Sequence, residues 1–155
     1  MEFTKEIGGS IYDIADELWS EGQRTFERLT VNDQEAIIDA MDEFYPEKES
    51  MNIGKLNDIL WFDFNIVAPY CSDLMSEIDS ELSDLEDKVS DLQDKLDNME
   101  DELYDNFGNN FDLYDSEEYS QLEDEKLTNE ALLDELQDLK AREDYEELAF
   151  RLNIW

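Results

Sequence analysis

CSDLMSEIDSELSDLEDKVSDLQDKLDNMEDEL, residues 71–103, places Cys71, Met75, Ile78, Leu82, Leu85, Val89, Leu92, Leu96, Met99 and Leu103 in steps that alternate between four and three. A strand would need a period of two, whereas steps of three and four keep side chains on one face of a helix. Held without a break for more than four heptads, the pattern predicts a long helix of coiled-coil type with a single apolar seam.

Outward from this seam, the chain runs into DNFGNNF (105–111), built from residues that tolerate left-handed backbone and so predict a turn. A second helical segment follows from about Glu117 to Asn153. Its stripe is less regular: Tyr119, Leu122, Leu132, Leu133, Leu136 and Leu139, then Tyr145, Leu148 and Leu152. A turn followed by a helix of matching length predicts an antiparallel hairpin. If Leu103 faces Tyr119, Cys71 faces roughly Arg151, and Leu148, Phe150, Leu152, Ile154 and Trp155 return to the residues before the hairpin.

Those residues read as a small helical head. Ser10 and Asp13 make a capping-box-like start for a helix bearing Ile11, Ile14, Ala15, Leu18 and Trp19. Thr30 with Asp33 starts a second helix with Ile37, Ile38, Met41, Phe44 and Tyr45, stopped by Pro46. A third spans Leu56 to Phe62, and Ile66 and Val67 lead to Pro69. Trp61, Phe62 and Phe64 are assigned to the core. The predicted fold class is all-α, a small helical head with a long antiparallel coiled-coil hairpin. The head covers 1–71, the acidic hairpin 72–147 with its turn at about 105–116, and an apolar tail, 148–155, packs back on the head.

Charge bounds the function. The 155 residues hold 45 acidic and 11 basic side chains, a formal net charge of −34, divided as −11, −24 and +1 among the three segments. Self-repulsion at this level would leave an apolar-poor chain disordered, but 41% hydrophobic residues supply a core. Nucleic acid and anionic membranes are repelled, so the expected partners are basic proteins or cations. The lone Cys71 excludes an intramolecular disulfide and suits a reducing compartment. The acidic start, Met1 to Glu6, lacks the pattern of a signal peptide, and the run Ile59 to Val67 is too short for a membrane span. A cytoplasmic monomer without a membrane segment is the expectation.

With Leu82 at heptad position a, the outer positions c and f hold Asp84, Asp87, Asp91, Asp94 and Asp101, while Lys88 and Lys95 fall at g, beside the seam. The lysines are placed to pair across the hairpin and the outer stripe is left unneutralised. The candidate partner-binding residues are Asp84, Asp87, Asp91, Asp94, Asp97, Asp101, Glu102, Asp105, Asp112 and Asp115. A 32-residue helix is ~48 Å long, and two packed helices make a rod of about duplex width. Net −24 over that length is about one charge per 2 Å, against one per ~1.7 Å of duplex DNA. Mimicry of DNA is therefore one reading; an acidic coiled-coil spacer, adaptor or oligomerisation module is the other.

Other chemistries have less support. There is no histidine, no phosphate-cradling glycine loop and no recognisable nucleophile with a base, so a non-enzymatic protein without cofactor is expected. An EF-hand wants glycine at its sixth position; counting back from Gly108 puts Leu103 first, where a ligand is required, and no metal site is assigned. Phe107, Phe111 and Tyr114 either close the turn or anchor a partner.

Two segments, DELWSEGQRTF (16–26) and KLNDILWFDF (55–64), resemble a small module common in phages and mobile elements of Gram-positive bacteria. The likeness covers roughly residues 12–70, and NIVAPY (65–70) departs from the acidic, tryptophan-containing helix that usually follows. Such a head beside an acidic arm resembles phage counter-defence proteins, in particular anti-CRISPR inhibitors. The resemblance implies that the partner is a guide-RNA-loaded type II CRISPR effector nuclease, or another basic DNA-binding protein, met in the host cytoplasm.

Overall fold

The computed structural model describes residues 16–44, 53–108 and 112–155. Among them the regular elements are all helical: α1 (Ser20–Arg28), α2 (Val31–Phe44), α3 (Ile53–Phe62), α4 (Phe64–Val67), a 3-10 turn (Ala68–Tyr70), α5 (Ser72–Phe107), a second 3-10 turn (Leu113–Asp115), α6 (Glu117–Ala141) and α7 (Tyr145–Arg151). The protein is all-α, as the helical spacings predict. It divides into two compact units, one containing the chain up to Ile78 together with Glu143–Trp155, the other Asp79–Arg142.

In the first unit the chain departs from its expected start. The Ser10–Asp13 cap and Ile11, Ile14 and Ala15 lie outside the described residues. Leu18 and Trp19 are not helical: Trp19 is extended, its N–H donates to Asn57 Oδ1 at 3.0 Å, and Ser20 follows at φ 51°. The helix that begins there, α1, buries Gly22, Thr25 and Phe26. Gly22 lies so close to α3 that a Cβ would sit 2.4 Å from Asn57 Oδ1 and 2.8 Å from its carbonyl oxygen. This near-contact seats α1 on α3, and only glycine has the room.

Thr30 caps α2, its Oγ1 accepting from the Asp33 N–H at 3.2 Å. The Asp33 carboxylate does not turn back on its own helix as in a capping box. It is 1% exposed and accepts the N–H groups of Asp73 (3.0 Å) and Leu74 (2.9 Å), capping the first turn of α5 from 40 residues away. A helix start leaves four N–H groups without intrahelical acceptors, and a carboxylate there is favoured by the helix dipole. Thr30 Oγ1 also donates to Asp73 Oδ2 at 2.6 Å, tying the two helix starts together. Tyr45 and Pro46, the expected end of α2, lie outside the described residues.

Ile37, Ile38 and Met41 from α2 join Phe26, Leu56, Leu60, Phe64, Val67, Cys71, Leu74 and Ile78 in the core. The core assignment holds for Phe64, at 0% exposed, but not for Phe62, which is 68% exposed; Trp61 is half-buried and stacks on it. The physical reason is phase. Helix α3 turns Leu56, Asn57 and Leu60 inward, and residue 62 comes round to the opposite side.

A single second helix from 117 to 153 does not form. Helix α6 ends at Ala141, Glu143 takes a left-handed φ of 60°, and Asp144 caps α7 by accepting the Glu147 N–H at 3.4 Å. Asn65 holds this corner, donating to Asp144 Oδ1 (3.2 Å) and accepting the Glu146 N–H (3.0 Å). Leu148 and Ala149 are fully buried. Left-handed Asn153 (φ 59°) ends α7, with the Ile154 N–H bound to the Ala149 carbonyl, and Trp155 packs 4.9 Å from Phe64 and edge-on to Phe150. The Arg28 guanidinium covers the Phe150 and Trp155 rings at 4.9 and 5.7 Å.

In the second unit Leu82, Leu92 and Leu96 of α5 are buried and Leu85, Val89, Met99 and Leu103 half-buried. Contacts to α6 run in antiparallel order: Asp79 with Lys140 (2.6 Å), Glu86 with Gln137 (3.0 Å) and Lys88 with Glu125 (4.0 Å). The gap between Leu122 and Leu132 is bridged by half-buried Lys126 and Asn129, which continue the steps of three and four. A lysine stem covers apolar surface while its ammonium stays at the rim, here 3.2 Å from Glu130. Helix α5 runs on through Phe107 and the chain turns at Gly108, φ 77°, a little later than the composition predicts. Residues 109–111, including Phe111, and the Tyr114 side chain fall outside the description.

Candidate functional site

All ten candidate carboxylates lie in the second unit, and all ten residues are exposed. The structure brings six onto one face of α5. Asp84, Asp87, Asp91, Asp94, Asp101 and Asp105 follow steps of three and four opposite the seam, with exposed Asn98 filling the missing step. Asp97 and Glu102 flank this row, and Asp97 accepts a 2.7 Å hydrogen bond from Gln93. Asp112 and Asp115 stand beyond the Gly108 turn, in and beside the second 3-10 turn, off the α5 row.

Four of the five cations of this unit are engaged elsewhere. Lys88 meets Glu125, Lys126 meets Glu130, Lys140 meets Asp79, and Arg142 meets Asp138 at 3.0 Å. Lys95, expected to pair across the hairpin, is exposed and makes no ion pair among the described residues. Among the described residues Asp84, Asp87, Asp91 and Asp94 take part in no ion pair either. Like charges three and four apart on a helix cost about 0.2–0.5 kcal/mol per pair, so this row opposes folding. Its carboxylates point into solvent with no stabilising work inside the unit.

The unit holds 23 acidic and five basic residues, a net −18. The 29 residues of α5 from Asp79 to Phe107 rise ~44 Å. That is about one charge per 2.4 Å, somewhat sparser than the sequence expectation and than the ~1.7 Å of duplex DNA. Such a surface attracts extended cationic grooves and concentrates counterions. No group of acidic residues among those described is arranged to hold a metal ion.

The first unit contains a shallow pocket between Arg28, Thr30, Asp33, Asp73, Glu77 and Trp155. Thr30, Asp33 and Asp73 in it serve the α5 cap already described. Cys71, next to it in the chain, is fully buried, and burial followed by the charges of Asp33 and Asp73 pushes its thiol up to about 12. A thiol so raised is a poor nucleophile. Glu146 is also raised, first by burial and next by Asp144, with Arg28 acting in the other direction.

Sequence reasoning missed two things in this unit: the reach of Asp33 to α5, and an outward row of Phe62, Ile66 and Tyr70, respectively 68%, 58% and 41% exposed. The four-residue spacing of that row was visible; the side it faces was not. No helix among the described residues is long and apolar enough to cross a membrane. Compared with protein-family models, curated proteins and solved structures, the chain finds no match.

Proposed function

We propose that the protein is an acidic DNA mimic that occupies the nucleic-acid cleft of a bacterial defence nuclease and blocks its binding to target DNA. One observation carries this reading: the exposed Asp84, Asp87, Asp91 and Asp94 row has no ion pair among the described residues, while four of the unit's five cations pair with other carboxylates. A helix surface kept merely for solubility normally mixes both signs. The resemblance of residues 16–26 and 55–64 to mobile-element modules favours a guide-RNA-loaded type II CRISPR effector as the target. Such effectors read the short motif beside their target with arginines in a basic groove, which carboxylates can fill by paired hydrogen bonds. The protein acts as a non-enzymatic, cofactor-free monomer in the cytoplasm of the host cell.

The test is a gel shift with catalytically inactive, guide-loaded effector. Added before target DNA, the protein is expected to abolish the shift; added to a preformed complex, it acts slowly or not at all. Replacing Asp84, Asp87, Asp91 and Asp94 together with Asn is expected to keep helicity and weaken inhibition, and raised salt to weaken it steeply. Undiminished DNA binding in the first order of addition refutes the mimicry. An acidic adaptor or oligomerisation module would displace no DNA in either order.

A further inference from the structure

We propose that the outward face of α3 and α4 is a docking surface for a basic amphipathic helix of a partner protein. From residue 58 to 70 the exposed positions are Asp58, Phe62, Asp63, Ile66, Pro69 and Tyr70, while Leu60, Phe64, Val67 and Cys71 are buried. Asp63, at φ −128° and ψ 26°, separates α3 from α4, and Tyr70 lies in the 3-10 turn, but burial keeps its phase across both junctions, through Leu56, Leu60, Phe64, Val67 and Cys71. Phe62, Ile66 and Tyr70 therefore all lie on the side away from this core. Single exposed apolar residues are ordinary on a soluble protein; three on one side within nine residues, with an aromatic at each end, mark a contact surface.

The row is also prearranged. Trp61 stacks on Phe62 with ring centroids 5.0 Å apart and planes 7° from parallel. A ring already held in place loses little freedom when a partner covers it, and aromatic residues dominate binding energy at interface centres. The occupant follows from charge and spacing. Exposed Asp58 and Asp63 border the row and call for Lys or Arg on the partner. A second copy would bring another net −34, and nucleic acid or an anionic membrane is repelled likewise. An apolar strip bordered by carboxylates fits the apolar stripe and basic flanks of an amphipathic helix laid across it. The occupant is thus a helix with apolar residues on one face and basic residues beside them. This inference is independent of the acidic row on α5 and stands whether or not that row meets a nuclease.

Two synthetic peptides of equal length and charge test it: a helical Leu/Lys amphipath, and the same peptide with Gln at every Leu. Calorimetry on the full chain is expected to show the Leu/Lys peptide binding at least tenfold more tightly than the Gln/Lys control. In Phe62→Ser and in Ile66→Ser that excess is expected to vanish, with the control's affinity unchanged and the helical circular dichroism retained. Equal affinity of the two peptides for the parent chain, absence of Leu/Lys binding, or an excess retained in both variants overturns the proposal.

Discussion

Replacing Asp33 by Ala removes the acceptor for two backbone N–H groups at the start of the 36-residue helix α5. Hydrogen bonds to a charged group contribute about 1.5–3 kcal/mol each, and a carboxylate in the field of a partly buried helix N-terminus gains up to ~2 kcal/mol. These terms share the same partial charges, so they are not summed in full, and the expected loss is about 3–5 kcal/mol, within the range found when one partner of a buried charged interaction is removed. Against a total stability of roughly 5–15 kcal/mol this is large enough to unfold a marginal domain. Asp33→Asn keeps the shape and one acceptor but turns an amide N–H₂ toward the second N–H, so it is expected to lose about half as much. Asp39→Ala, at an exposed position of the same helix, serves as control and is expected to stay within ~0.5 kcal/mol of the parent. Urea denaturation followed by circular dichroism at 222 nm measures all three. If Asp33→Ala matches Asp39→Ala to within about 1 kcal/mol, the long-range cap is not a stabilising element and the reasoning fails.

Gly22→Ala would gain helix propensity in isolation, but its Cβ would meet Asn57 at 2.4 Å; a net loss of about 1–3 kcal/mol is expected, read as a lower Tm. Cys71, with its thiol at about 12, is expected to resist iodoacetamide at mildly alkaline pH in the folded protein and to react once urea unfolds it. Because the folded state keeps this proton above the ordinary 9.0, its contribution to stability is full below pH 9.0 and is lost as pH rises toward about 12, a decline that Cys71→Ala should remove. Glu146 is raised as well, so its contribution is present below its ordinary 4.5 and is lost as pH rises through the folded value. Glu146→Gln is therefore expected to raise Tm near neutral pH and to leave it unchanged at acid pH.

Local repetition is what the sequence alone determined about this protein. The seam from Cys71 to Leu103 specifies a helix because steps of three and four are a property of one segment with its own axis, and every outer carboxylate of α5 follows from the same phase. The exposure of the eight candidate acids on α5 was legible for that reason, whereas Asp112 and Asp115 lie beyond the reach of that phase. Tertiary structure decided the places where no such repetition exists. Helix α1 buries Gly22, Thr25 and Phe26, a face with a single large apolar side chain, and its existence depends on the room beside Asn57. The second helical segment breaks at Glu143 because Asn65, nearly 80 residues earlier, holds Asp144 and the Glu146 N–H at the corner. Asp33 reads as the third residue of its own helix and serves as the cap of another, a choice between near and distant N–H donors that spacing cannot express. Phe62 and Phe64 are two aromatics two positions apart with no local difference in character; the packing of α3 and α4 turned Phe64 into the core and left Phe62 at the surface.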